Sequence, residues 1–268
     1  MKHILFTLAA IVICCGACKK NQDVLSEPDA QVGFFEVSEQ LQSGLLNAYT
    51  NSYLLMDTQD TSLAQMGNVT VPAFGSGNIY QEPLLPYYER VSLPWISYIV
   101  VHPGSHEVTL TDTGGHRPLL TTPFTLTHGL PTTLYFADSL GYFQSLALAD
   151  TVTAQDGFAM LRVIDLCPDA GNVFCTVGGT PVTAALQYGQ ATRFIPWINP
   201  RADTLILRFY QPGDTTDILA SSLLSVSPGH AYNVVVCGYL KGQAYADPRT
   251  KKTYSFGPDL RVILTQNN

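Results

Sequence analysis

The sequence predicts an all-β protein built from two tandem β-sandwiches, and three observations carry that expectation. Helical periodicity is nearly absent, confined to a turn or two over Val37–Leu46. Elsewhere short alternating or apolar runs are broken by Gly, Pro, Asp and Asn, the pattern of many short strands. The two halves of the 268-residue chain also repeat one another. Thr122–Gly129 followed by Thr132–Phe136 aligns without a gap on Ser222–Gly229 followed by Tyr232–Val236. Paired strands precede each unit, Glu107–Thr111 after His102–Pro103 and Thr204–Phe209 after Asn199–Pro200. Each half closes on a late strand, Ser145–Ala149 and Leu260–Thr265. A unit of roughly a hundred residues and about seven strands fits an immunoglobulin-like sandwich.

The elements follow in chain order. Met1–Lys2–His3 is a short basic start, and Ile4–Cys15 is an apolar run too short to span a bilayer. Gly16 and Ala17 then place small residues directly before Cys18, so residues 1–17 read as an export leader. The arrangement resembles the bacterial lipobox, with Cys15 where Leu is usual, and it implies diacylation of Cys18. A membrane partner through that lipid, an outer-membrane lipoprotein facing periplasm or surface, is the expected address. Residues 18–40 are expected to be a polar stalk, 41–149 the first sandwich, 150–156 a linker and 157–268 the second sandwich. The first half opens on Leu45–Tyr49, set against Met160–Ile164 in the second.

Composition narrows the function classes. Hydrophobic residues make up 46%, enough for packed cores. Charged residues are only 13%, against ~25% in ordinary soluble domains, and the net charge is −7. An acidic, charge-poor surface is unsuited to nucleic acid, which demands clustered Lys and Arg. Cys14 and Cys15 leave with the leader, so Cys167, Cys175 and Cys237 remain beside Cys18. One disulfide, Cys175 to Cys237 or Cys167 to Cys175, stands against three buried thiols.

The second half resembles a known family. Ala159–Ala170 (AMLRVIDLCPDA) is similar to the opening of domain of unknown function 4397, Leu186–Gly189 to its mid-domain L-x-Y-G, and Ser227–Val235 to its late glycine–tyrosine–valine element. The resemblance runs over about Gly157–Gly238, and the first half shares it only through the repeat. It implies an extracytoplasmic β-sandwich, often in tandem in lipoproteins of Bacteroidota-type bacteria, with no established chemistry and no catalytic residue.

The residues themselves point the same way. His102, His106 and His116 could in principle approach one another but read as exposed loop histidines and not as metal ligands, and Asp57 with Asp60 or Asp165 with Asp169 reads as turn and strand-end aspartates. No catalytic residue, metal ligand or cofactor is assigned, and a non-enzymatic interaction or adhesion module is expected. The rival is a glycan-binding accessory of polysaccharide uptake, using Tyr87, Tyr88, Trp95 or Trp197 as stacking platforms. Ser139, Thr151 and Thr215 each follow Asp in an Asp–Ser/Thr–apolar or Asp–Thr–Thr pattern that resembles the Bacteroidota O-glycosylation sequon, with Thr151 the most accessible if 150–156 is a linker.

Overall fold

The computed structural model describes residues 29–41, 52–57, 79–82, 98–112, 117–153, 155–198, 204–249 and 251–267. Nearly all of them are strand, loop or turn. In the first half these are β1 (Ala30–Glu36), β2 (Ser52–Met56), β3 (Ile79–Glu82), β4 (Tyr98–Val101), β5 (Gly104–Thr111), β6 (Pro118–Leu126), β7 (Pro131–Ser139) and β8 (Tyr142–Ala149). The second half supplies β9 (Phe158–Leu166), β10 (Phe174–Val177), β11 (Thr180–Pro181), β12 (Gln190–Ala191), β13 (Ile195–Ile198) and β14 (Thr204–Tyr210). It ends with β15 (Ala220–Ser225), β16 (Ala231–Cys237), β17 (Gln243–Ala246), β18 (Thr253–Phe256) and β19 (Arg261–Asn267).

The two halves share one topology. In the first, a sheet ordered β4-β1-β7-β8 faces one ordered β3-β2-β5-β6. In the second, β12-β9-β16-β19, with β13 also on β9, faces β11-β10-β14-β15. In each half the opening strand runs parallel to a later one, β1 beside β7 and β9 beside β16. Between the first two sheets lie Val32, Leu54, Met56, Val108, Leu110, Phe124, Leu134 and Phe136. Between the second two lie Leu161, Val163, Cys175, Val177, Leu207, Phe209, Val234 and Val236.

A third core joins the halves. Phe35, Val37, Tyr135 and Ala137 pack against Ile164, Leu166, Val235, Cys237 and Ile263, so the two central sheets are covered on both faces. This explains why β7, β9 and β16 bury nearly every residue, where an antiparallel sheet wet on one side would alternate. Successive side chains point to opposite faces, so Leu134 and Phe136 enter the first core while Tyr135 and Ala137 enter the shared one.

The opening strand departs from the sequence expectation. The first sandwich has a strand at Ala30–Glu36, inside the segment expected to be stalk, in the place that β9 holds in the second; the expected opening at Leu45–Tyr49 lies outside the described residues. The reason is burial: Ala30, Val32 and Phe35 are all but inaccessible, and β1 sits between β4 and β7. The helical expectation over Val37–Leu46 is met at Glu39–Leu41, where the Ser38 hydroxyl accepts a bond from the Leu41 N–H at 3.2 Å; residues 42–46 lie outside the described residues.

Candidate functional site

Four polar residues buried between the halves, Asp150, Arg162, Asn233 and Asn267, are engaged with one another. Arg162 and Asn233 stand on the shared face of β9 and β16, the face that also carries Ile164 and Val235. The Arg162 guanidinium pairs with Asp150, donates to Asn233 at 2.7 Å and to the Ala149 carbonyl at 2.7 Å, and lies 4.5 Å from the centre of the Phe194 ring. Asp150 also accepts from Thr133 at 2.5 Å, Tyr98 at 2.8 Å and Asn267 at 3.2 Å. Asn233 donates to Asn267 at 2.6 Å. A charge taken out of water is tolerable only when this fully bonded. Asp150, expected to open a linker, therefore locks the two sandwiches together.

The family-like landmarks turn out to be architectural. The Asp169 carboxylate accepts from the N–H groups of Leu240 at 2.6 Å and Lys241 at 2.9 Å and from the Gln243 amide at 3.2 Å, pinning the chain after β16. Burial alone would raise this carboxyl, but those donors outweigh it and hold it below the usual carboxylate range. Asp165 is its opposite. Fully buried, it accepts one bond from the Cys167 N–H at 3.0 Å, and desolvation pushes it up to about 7. Tyr232 accepts the Ser227 N–H at 2.9 Å, a tyrosine-to-backbone tie of the kind found in Greek-key sandwiches.

The candidate site residues fall into four groups. Cys18, Tyr87, Tyr88 and Trp95 lie outside the described residues. Trp197 is half-buried on β13 and packs against the second core, so it is held by the fold. Ser139 is half-buried at the end of β7, while Thr151 and Thr215 are exposed. Thr151 lines a cleft of about 470 Å³ with His230, Gly229 and Asn267, whose polar floor is the bonded Asp150. Cys175 and Cys237 form no disulfide, a correction to the pairing weighed from sequence. They face different cores, one between the second pair of sheets and one between the halves. Burial pushes the thiols of Cys167 and Cys175 up to about 12, so they remain protonated and inert. His106 is held between Asp57, at 2.9 Å, and the His102 carbonyl, at 2.8 Å. Among the described residues no cluster of His, Cys, Asp and Glu could hold a metal ion, and no helix is long and apolar enough to cross a membrane.

Sequence reasoning passed over the outer face of the second sandwich. Leu223 on β15 is 70% exposed and lies directly opposite Ile206 on β14, which is 43% exposed. Ser221 and Ser225 flank Leu223 on the same face and are exposed as well. An apolar residue pointing to water within an uncharged strand was visible as Ala220–Ser225, but alternation alone does not say which Leu of Leu223–Leu224 points out. A second exposed feature is Tyr142, 80% accessible at the start of β8. The Leu140–Gly141 turn before it meets the Tyr245 ring of the β17–β18 hairpin, where Tyr245 stands opposite Tyr254 and Tyr254 stacks near Phe256.

No curated protein matches the chain. Residues 88–176 match a family model, a stretch that runs from ahead of β4 into β10 and shares 157–176 with the segment whose landmarks carried the resemblance. That family is the domain of unknown function DUF4397, and the match lies across the junction of the two sandwiches.

Proposed function

We propose that this protein is a non-enzymatic cell-envelope lipoprotein, anchored through Cys18, whose sandwiches serve as interaction or adhesion modules. The observation that carries this reading is the contrast between inside and outside. Arg162, Asp150, Asn233 and Asn267 between the halves are consumed in locking them together, whereas the outer sheet of the second sandwich leaves Leu223, on the uncharged strand β15, and Ile206, beside it on β14, in water. An open sheet edge can take another chain as an added strand, and apolar side chains beside it add contact for that chain. The anchor is tested by Cys18→Ala, which should move the protein from the membrane to the soluble fraction. The docking surface is tested by a photo-crosslinking residue at position 223 in intact cells. Discrete adducts with protein are expected, and none at that position sinks the reading.

Glycan binding is the second reading, favoured by the aromatic strip of Tyr142, Tyr245 and Tyr254 and by Tyr87, Tyr88 and Trp95. A glycan array on the purified chain separates the two. Saturable sugar binding lost in Tyr142→Ala would replace adhesion with carbohydrate recognition.

A further inference from the structure

The repeat makes a comparison possible between two equivalent edge strands, β6 in the first half and β15 in the second. Both close the outer sheet of their sandwich. In the gapless alignment Pro123 of β6 corresponds to Leu223 of β15. The hydrogen bonds fix which backbone groups face the open edge. The Glu107 carbonyl accepts from Asp57, on the side of β2, so Glu107 and its partner Pro123 do not bond each other, and Pro123 presents its backbone to the edge. A proline there has no N–H to offer an incoming strand, so β6 is closed to pairing. On β14 the Ile206 carbonyl accepts from Gly178, on the side of β10, while the Phe209 carbonyl accepts from Leu219, on the side of β15. Phe209, Leu207 and Leu205 therefore bond β15 through Ala220, Ser222 and Leu224. Ser221, Leu223 and Ser225 turn their N–H and C=O groups outward. At the position where the first half carries a proline, the second offers a free donor and an exposed Leu.

From this we infer that β15 pairs antiparallel with β15 of a second copy of this chain, about a two-fold axis at Leu223. The inference rests on the docking reading above and names its partner. Two features select a second copy. The chain is acidic, with net charge −7, so copies approach one another without repulsion only along an uncharged stretch. Leu219–Ser227 contains no ionisable residue, and Arg208, the nearest charge on the outer face, stands opposite Ser221 and away from its own counterpart across the axis. The register is also self-complementary. Leu223 meets Leu223, and Ser221 meets Ser225, so the outward-facing residues exchange hydrogen bonds in facing pairs. Ile206 extends the row of apolar side chains across both sheets, joining them into one eight-stranded layer. Isologous contacts of this kind close on themselves and do not propagate.

Sedimentation of the purified chain tests the inference, with Leu223→Cys as a geometric reporter. In the proposed register the two Cα atoms at position 223 lie ~5.5 Å apart, within reach of a disulfide. The parent should sediment at twice the chain mass, and Leu223→Cys should form a covalent dimer on mild oxidation, whereas Tyr142→Cys should not. Leu223→Pro should be monomeric, as should Leu223→Lys, whose exposed side chain leaves the fold untouched should the proline variant misfold. A monomeric parent with no Leu223→Cys cross-link overturns the second-copy inference. If position 223 still gives adducts with another protein in cells, the docking reading survives that failure. A dimer that persists in Leu223→Lys overturns the inference by placing the contact elsewhere.

Discussion

At the scale of single residues, two positions show how local physics constrains this fold. Gly238 follows β16 with a φ of +86°, and a Cβ there would sit 1.9 Å from the Asp259 carbonyl oxygen. Backbone cannot yield as a side chain can, so Gly238→Ala should cost at least ~2 kcal/mol and lower the melting temperature by several degrees in calorimetry. Asp165 makes the opposite point about charge. Its carboxyl sits up at about 7 because burial disfavours the ionised form, so the folded chain holds a proton there that the unfolded chain gives up near pH 4. Its contribution is complete below about pH 4 and is lost as pH rises to about 7. Denaturant titrations should therefore show Asp165→Asn gaining on the parent between pH 5 and pH 8, by on the order of a few kcal/mol. An equal difference at both pH values would show that this carboxyl is already ionised at pH 5 in the folded state, so that burial does not raise it.

At the scale of elements, the pairing of β8's end with β9 through Asp150 and Arg162 is the most exposed to mutation. Removing one partner strands a buried charge, so Arg162→Leu should destabilise by ~3–5 kcal/mol in denaturant unfolding. Adding Asp150→Asn should recover part of that loss, since the uncompensated carboxylate is then gone. This pair also shows what was legible in the sequence. Strands such as β5, β7, β14 and β16 were readable because apolar runs end at turn residues, and the repeat located their counterparts. The all-β class followed from the same runs. β1 is harder to read, because Ala30–Glu36 follows a polar stretch directly and so reads as stalk, although Ala30 and Val32 serve one core and Phe35 the other, as in a strand buried on both faces. Arg162 in the middle of AMLRVIDL was the available sign of a buried partner, because a strand covered on both faces keeps a charge only when it is paired. Nothing in composition says that the partner is Asp150. The exposed row of Leu223 and Ile206 is equally hidden, since the run Ala220–Ser225 does not by itself say that Leu223 points to water.

At the scale of the whole molecule, the shared core of Phe35, Tyr135, Ile164 and Val235 makes four stacked sheets out of two sandwiches. The halves should unfold together, giving one calorimetric transition, and a protease cut within Thr151–Gly157 should leave both fragments associated on a sizing column. Two resolved transitions, or separation of the fragments, would show that the shared core contributes little. The parallel pairings bear on something else, the time at which the chain can fold. β1 meets β7 with Gln31 beside Pro131, and β9 meets β16 with Met160 beside Ala231. A strand made near the start of each half must wait for one made near its end, and closing so long a loop is slow. A nascent chain paused before residue 131 cannot yet close the first sandwich, because β1 has no β7 to pair with. The same topology that seals the finished molecule keeps it threadable until each half is nearly complete.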